Sequence, residues 1–236
     1  MTKKVILSWG GGKDSTLALY EIQKTSNYEI LGLLTTLTED YDRISIHGVR
    51  RILLEQQADS LGFPLEKMFI SKNASNKEYE FKMRQVLAKY LKDCVFSVVF
   101  GDIFLEDVRK YREDTLSKIG VKGIFPIWKR DTHELAHTFI DLGFRALITC
   151  VDSNVLGKNF VGREFDEQFL SDLPSNVDPC GENGEFHSFV YDGPIFQKRM
   201  LYTKGEIVLR ENRFYYCDLI PGPSAERDDY HKLHTV

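Results

Sequence analysis

Two groups of residues in this chain have the types and spacing to do chemistry. The first runs Val5-Ile6-Leu7-Ser8-Trp9-Gly10-Gly11-Gly12-Lys13-Asp14-Ser15, an apolar run that breaks into three glycines and then Lys-Asp-Ser ahead of a helix-favouring segment. It reads as strand, anion-binding loop, helix. Glycines let the backbone approach a polyphosphate, amide N–H groups and the helix N-terminus supply positive potential, and Lys13 and Ser15 add a charge and a hydroxyl. Ser8, Gly10, Gly11, Gly12, Lys13, Asp14 and Ser15 are therefore the candidates for contact with a nucleotide. An ordinary P-loop needs four residues between its first Gly and Gly-Lys-Ser/Thr, and Asp14 separates Lys13 from Ser15, so the Walker pattern fails; a dinucleotide-type G-x-G-x-x-G fails too. On glycines alone, a tight turn with a helix cap at Ser15 is the competing explanation.

The second group lies between Pro179 and Pro194, where Glu182, Asn183, Glu185, His187 and Ser188 occupy a glycine-flanked turn leading to a strand. Strand alternation puts Glu185, His187 and Phe189 on one face and Phe186, Ser188 and Val190 on the other. Glu182, Glu185 and His187 supply two carboxylates and an imidazole, groups of the kind that act as general bases. A solvent-facing strand edge is the bland alternative. His47 and Arg50 follow the second expected strand, and Asp102 closes an apolar strand, which puts all three at the edge where such sheets bind ligands. Mg²⁺ favours a few carboxylates plus phosphate oxygens, which makes Asp14 with Asp102 the candidate pair.

These residues need a scaffold, and the hydrophobic pattern describes one. Apolar runs at Lys4–Trp9, Ile30–Leu37, Lys67–Ser71, Val95–Gly101 and Gly123–Trp128 alternate with helical patterns at Ser15–Lys24, Val49–Leu61, Lys77–Lys92 and Leu105–Ile119. That alternation predicts an α/β fold, a parallel twisted sheet with helices on both faces, Rossmann-like. A helix over Asp131–Leu142, a strand over Arg145–Val151 and a hairpin of Lys204–Leu209 with Arg213–Leu219 then suggest a smaller α+β C-terminal domain. The expected organisation is an ATP-binding domain over 1–130, a substrate-binding domain over 131–221 and a flexible tail over 222–236. Four scattered cysteines with no C-x-x-C argue against a zinc knuckle or a disulfide framework. With 31 basic against 35 acidic residues, net charge −4, there is no general pull toward nucleic acid. No apolar run is long enough to span a bilayer, and Met1-Thr2-Lys3-Lys4 leads into a strand, so a cytoplasmic protein with no membrane partner is expected.

The glycine loop resembles the PP-loop, S-G-G-x-D-S, of the ATP pyrophosphatases, with Gly10 where that motif has Ser and Ser8 two residues upstream. Taken with His47-Gly48-Val49-Arg50, Ala58, Leu61-Gly62 and Pro64, with Gly101-Asp102-Ile103, Pro126-Ile127-Trp128 and the stretch Gly181 to Phe196, it resembles the diphthine-ammonia ligase family. That family is a branch of the adenine nucleotide alpha-hydrolase (HUP) superfamily, and the resemblance covers nearly the whole chain up to about Phe196. It implies ATP and Mg²⁺ as cofactors, adenylation of a substrate carboxylate with release of pyrophosphate, and attack by ammonia. Lys13, Asp14 and Glu185 would be catalytic, with His47 joining the loop around the nucleotide. Arg50, Asp102, Glu182, Asn183, Glu185 and His187 would face the substrate.

The second motif is similar to G-E-G-G-E-Y-E-T but has Asn183 for Gly, Phe186 for Tyr, His187 for Glu and Ser188 for Thr, changes that bear on the acceptor. The wording G-D-I-F-L-E-D and E-F-H-S-F-V-Y-D-G-P looks like the short bacterial relatives, without the extra C-terminal domains of the long eukaryotic ones. Diphthamide is a modification of archaeal and eukaryotic elongation factor 2. Elongation factor 2 is thus the implied partner only where the source makes diphthamide; elsewhere the acceptor is another carboxylate, small or protein-borne. Two alternatives stand beside the ligase. A tRNA-modifying ATP pyrophosphatase would call for paired cysteines or a basic face, and a non-catalytic adenine-nucleotide-binding protein would keep the fold alone. Assembly as a homodimer is left open.

Overall fold

A computed structural model describes residues 2–45 and 47–222 together with the backbone of Ala225–Glu226. In chain order the first elements are β1 (Lys3–Ser8), α1 (Lys13–Gln23), β2 (Tyr28–Thr38), β3 (Arg43–Ile44), α2 (Arg51–Leu61) and β4 (Leu65–Ile70). Then come α3 (Asn76–Leu91), β5 (Ser97–Val99), α4 (Glu106–Ser117), β6 (Lys122–Ile124), α5 (Thr132–Asp141) and β7 (Arg145–Asp152). The last are α6 (Glu167–Asp172), β8 (Phe186–Asp192), β9 (Lys198–Arg199), β10 (Tyr202–Arg210), β11 (Phe214–Pro221) and β12 (Ala225–Glu226).

Two compact units form. One takes the described residues within 1–10, 14–45 and 64–130; the other takes those within 11–13, 46–63 and 131–236. The first contains the larger sheet. β4, β2, β1, β5 and β6 run parallel in that order, and the short β3 pairs antiparallel with the end of β2. Consecutive residues Val5, Ile6 and Leu7 of β1 are wholly buried, as a strand covered on both faces must be. Ile6, Leu34, Met68, Met83, Leu87, Val98 and Phe100 share one core, which brings α3 against the sheet. The chain runs outward from β1 through β2 to β4 and then returns to the other side of β1 at β5, so the topological switch lies between β1 and β5. The carboxyl ends of those two strands lead into the Gly10–Gly12 turn and into Phe100–Asp102, where open α/β sheets take their ligands.

The second unit has a four-stranded antiparallel sheet in the order β10-β11-β7-β8. Its core is a run of phenylalanine rings: Phe139 lies 5.6 Å from Phe165, Phe165 5.6 Å from Phe169, and Phe169 5.2 Å from Phe186. β10 and β11 make the expected hairpin. Glu211 and Asn212 both adopt left-handed backbone (φ 53° and 51°), the combination whose twist matches paired strands.

The observed architecture is thus α/β: a mostly parallel sheet flanked by helices, plus a second antiparallel sheet. One expected strand is shorter than its apolar run. β6 stops at Ile124 because Pro126 has no N–H for a ladder and Trp128 N–H turns back to Phe125 O at 3.2 Å. Most of the expected tail, 222–236, lies outside the described residues; within it, Ala225–Glu226 pair with Lys198–Arg199.

Candidate functional site

In the first unit, Ser8 ends β1 and Gly10 begins the turn, while Asp14 and Ser15 lie in the opening turn of α1, whose leading N–H groups have no helical acceptor. The end of β5 comes very close to that turn. A Cβ on Gly101 would sit 2.7 Å from the Asp14 carbonyl carbon and oxygen and 2.8 Å from Ser15 N, so only glycine fits. The neighbouring Asp102 carboxylate is gripped by Arg112, whose Nη2 donates to Oδ1 at 3.1 Å and whose Nε lies 2.8 Å from Oδ2. The same guanidinium lies over the Phe100 ring at 4.5 Å. Asp102 therefore carries an internal counter-ion.

In the second unit, Gly11 to Lys13 are fixed by residues far along the chain. Gly11 O accepts from Val190 N and from Gln57 Nε2, both at 2.9 Å, and Gln57 Nε2 also reaches Val190 O at 2.6 Å. A Cβ on Gly12 would lie 2.9 Å from Ser188 O and 3.2 Å from His47 Cε1. Lys13 N–H donates to Ser188 Oγ at 3.2 Å. The Lys13 side chain is 3 % exposed; its ammonium donates to the Cys180 carbonyl and lies 5.4 Å from the Phe186 ring centre and 5.9 Å from that of Phe165. A carbonyl and two aromatic faces thus shelter a buried cation, which desolvation would otherwise penalise.

Beside it stand His47 and His187, with ring centres 4.6 Å apart. His47 Nδ1–H donates to Ser188 O at 3.4 Å. Burial lowers the His47 pKa from 6.5 to about 4, opposed by that hydrogen bond and assisted by the charge of Lys13. His187 is driven well below 6.5, first by burial and then by His47 and Lys13. Both imidazoles are neutral at neutral pH, resist protonation, and can accept a hydrogen bond.

The turn ahead of β8 holds the remaining candidates. Glu182 N–H donates to Asp178 Oδ2 at 2.8 Å, and Gly184 N–H closes onto Gly181 O at 3.0 Å. Glu185 is 6 % exposed. Its Oε1 accepts from Asn183 Nδ2 at 2.9 Å and from Asp178 N at 3.2 Å, and its Oε2 has no hydrogen-bond partner among the described residues. Glu185 and His187 do not share partners: the carboxylate turns back into the turn, whereas the imidazole meets His47. Arg50 is engaged by Asp218, with Nε to Oδ1 at 3.0 Å and Nη2 to Oδ2 at 2.6 Å.

Sequence reasoning missed Gln57, Ser188, the Cys180 carbonyl, Phe165 and Phe186 as supports of the loop. Gln57 left a signal, since a fully buried amide on the same helix as buried Leu53, Leu54, Ala58 and Leu61 must find hydrogen bonds inside the protein. The Cys180 carbonyl left none.

Two family models match successive parts of the chain. A family model for the diphthamide synthase N-terminal domain matches residues 3–123, and one for the C-terminal domain matches residues 131–219. The chain is similar to a diphthine–ammonia ligase of Schizosaccharomyces pombe, 24 % identical over 224 residues, covering 87 % of this chain and 37 % of that protein. It is also similar to the diphthine–ammonia ligase of Danio rerio, 22 % identical over 226 residues, with 86 % of this chain and 87 % of that protein covered. For the Saccharomyces cerevisiae diphthine–ammonia ligase the identity is 25 % over 236 residues, with 82 % and 33 % covered. The match thus spans only about a third of either yeast relative and most of the fish one. Both halves match in order, the first over half of the sequence and the second over most of the rest, so the chain belongs to the diphthamide synthase family.

Proposed function

We propose that this chain is a cytoplasmic ATP-dependent ligase that forms an amide from a carboxylate and ammonia, with AMP and pyrophosphate as by-products. An amide cannot form from a carboxylate and ammonia at neutral pH unless an oxygen is first made a leaving group. Adenylation does this: a carboxylate oxygen attacks the α-phosphorus, pyrophosphate departs, and the ammonia nitrogen then displaces AMP from the acyl carbon.

The observation that carries the reading is the Gly10–Gly12 turn joining β1 to α1 at the topological switch of a mostly parallel sheet. The donor set suits a triphosphate: N–H groups at the N-terminus of α1, the Ser8 and Ser15 hydroxyls, and a Gly101 that leaves no side chain against Asp14. Preorganised donors of this kind stabilise charge as it grows on departing pyrophosphate. Mg²⁺, when bound, would supply charge neutralisation on the phosphates, with Asp14 as its protein ligand and Asp102 sharing it only at the expense of Arg112.

The Lys13 ammonium, held by Cys180 O and two rings, positions the loop and sets a positive potential beside His47 and His187. The Glu185 Oε2 is the available carboxylate acceptor for the proton of an incoming ammonium, and the neutral imidazoles of His47 and His187 can accept hydrogen bonds from it. Arg50, Glu182 and Asn183 line the same unit as candidates for holding the acceptor. Family relatives named diphthine–ammonia ligase support a ligase; a protein-borne acceptor such as elongation factor 2 applies only where the source makes diphthamide. The test is direct: the chain is incubated with ATP, Mg²⁺ and ammonium, with candidate carboxylates, with tRNA, or with neither. AMP and pyrophosphate that depend on a carboxylate support the ligase; ADP, or turnover that depends on tRNA, refutes it.

A further inference from the structure

We infer that His133 and His137 form a two-imidazole chelate for a zinc-class divalent cation at the mouth of a cleft in the second unit, with Glu167 orienting His137. This site is separate from the residues proposed above for the nucleotide and for Mg²⁺.

The two histidines are four residues apart on α5, so they share a face with Cβ atoms roughly 6 Å apart. His133-Glu134-Leu135-Ala136-His137 has the spacing that sets two imidazoles on one helix face around zinc. The helix beneath them is firmly placed. Asp131 Oδ1 accepts from Glu134 N at 2.9 Å, and Leu135, Ala136 and Phe139 on the opposite face are fully buried. Both histidines line a cleft of about 260 Å³ together with Glu167, Leu170, Pro174 and Val177.

His137 Nδ1 lies 3.0 Å from Glu167 Oε1, within reach for an Nδ1–H to donate to the carboxylate, the arrangement that leaves Nε2 to face a metal ion. A carboxylate behind a histidine in this manner fixes the tautomer and raises the basicity of the ligating nitrogen. Among the described residues no three metal-binding side chains stand together as a complete shell. The cation would therefore keep open positions for water or for an anionic group held in the cleft. Imidazole ligation favours Cu²⁺, Ni²⁺ and Zn²⁺ over Mg²⁺ and Ca²⁺.

The experiment titrates the whole chain, without nucleotide, with Zn²⁺ alone and follows competition with a chromophoric chelator. One equivalent should bind saturably. H133A and H137A, both changes on an exposed helix face, should abolish that equivalent while leaving the thermal unfolding curve in place, and E167Q should weaken it about tenfold. A H231A/H234A variant removes the other closely spaced histidine pair in the sequence and should bind as before. Mg²⁺ should not compete, whereas Cu²⁺ should bind more tightly than Zn²⁺. Absence of saturable binding, binding that survives in H133A/H137A, or binding lost in H231A/H234A overturns the inference. None of these outcomes depends on ligase activity.

Discussion

Mild acid should destabilise this protein through one pair of rings. The His47 and His187 rings lie 4.6 Å apart, tilted by 31°, and burial holds His47 at about 4 and His187 well below 6.5. An imidazole whose folded pKa lies below its unfolded value stays neutral in the native chain while the unfolded chain takes up a proton. The stability it allows is complete above pH 6.5 and is lost as pH falls from 6.5 toward about 4. Each pH unit in that window costs about 1.36 kcal/mol per imidazole. Lowering the pH from 6.5 to 5 thus removes about 2 kcal/mol through His47, a sizeable share of a typical folding stability, and His187 acts in the same direction.

Urea unfolding at pH 7.5, 6.5, 5.5 and 5.0, followed by fluorescence, reads this directly. H47Q and H187Q should each remove about one proton from the pH slope between 6.5 and 5, and the double variant should be nearly flat there. Carboxylates titrate mainly below that window and leave it clean. A wild-type protein whose stability does not change from pH 6.5 to 5, or a double variant with the wild-type slope, would refute a neutral imidazole pair at this position.

Three further outcomes are expected. Asp14→Ala should abolish AMP release in the ATP assay and leave the circular dichroism spectrum unchanged; wild-type turnover would remove Asp14 from the site. Glu185→Gln keeps an acceptor oxygen for Asp178 N and Asn183, so nucleotide affinity should stay constant in a binding titration while amide formation falls by about 10²–10⁴; loss of nucleotide binding would break the division of labour argued above. Gly12→Ala forces a Cβ to 2.9 Å from Ser188 O and should cost about 1–3 kcal/mol, read as a drop in melting temperature; an unchanged melting point would mean that the loop is not packed against β8.

What could be read from residues alone follows from how local the cause is. The β1–glycine–α1 arrangement was legible because a run of apolar residues, a glycine turn and a helix start are set by neighbours in sequence, and the Glu211–Asn212 hairpin for the same reason. The surroundings of Lys13 were not. Its charge suggests a phosphate ligand, yet the ammonium is enclosed by Cys180 O, Phe165 and Phe186, all more than a hundred residues away in the chain. Asp102 lies just beyond β5, near the place its apolar run predicts, but Arg112, which neutralises it, sits on the following helix where its basic neighbours look like a solvated face.

The division into compact units has a mechanistic consequence for the loop itself. Gly10 and Asp14 pack with the larger sheet, while Gly11, Gly12 and Lys13 pack with the phenylalanine core and the antiparallel sheet, so the chain changes unit twice within five residues. A glycine-rich loop in isolation is flexible and pays an entropic cost to adopt one anion-binding shape. Here the hydrogen bonds of Gly11 O to Gln57 and Val190 and of Lys13 N to Ser188 fix its middle before any ligand arrives. β8 therefore does two things at once: it carries His187 and the turn that leads to Glu185, and it holds the glycine loop. A substitution in β8 such as Ser188→Ala, which removes only the hydroxyl accepting Lys13 N–H, should accordingly be felt in nucleotide affinity although Ser188 belongs to the second motif. An unchanged affinity in that variant would show that the loop keeps its shape without this strand.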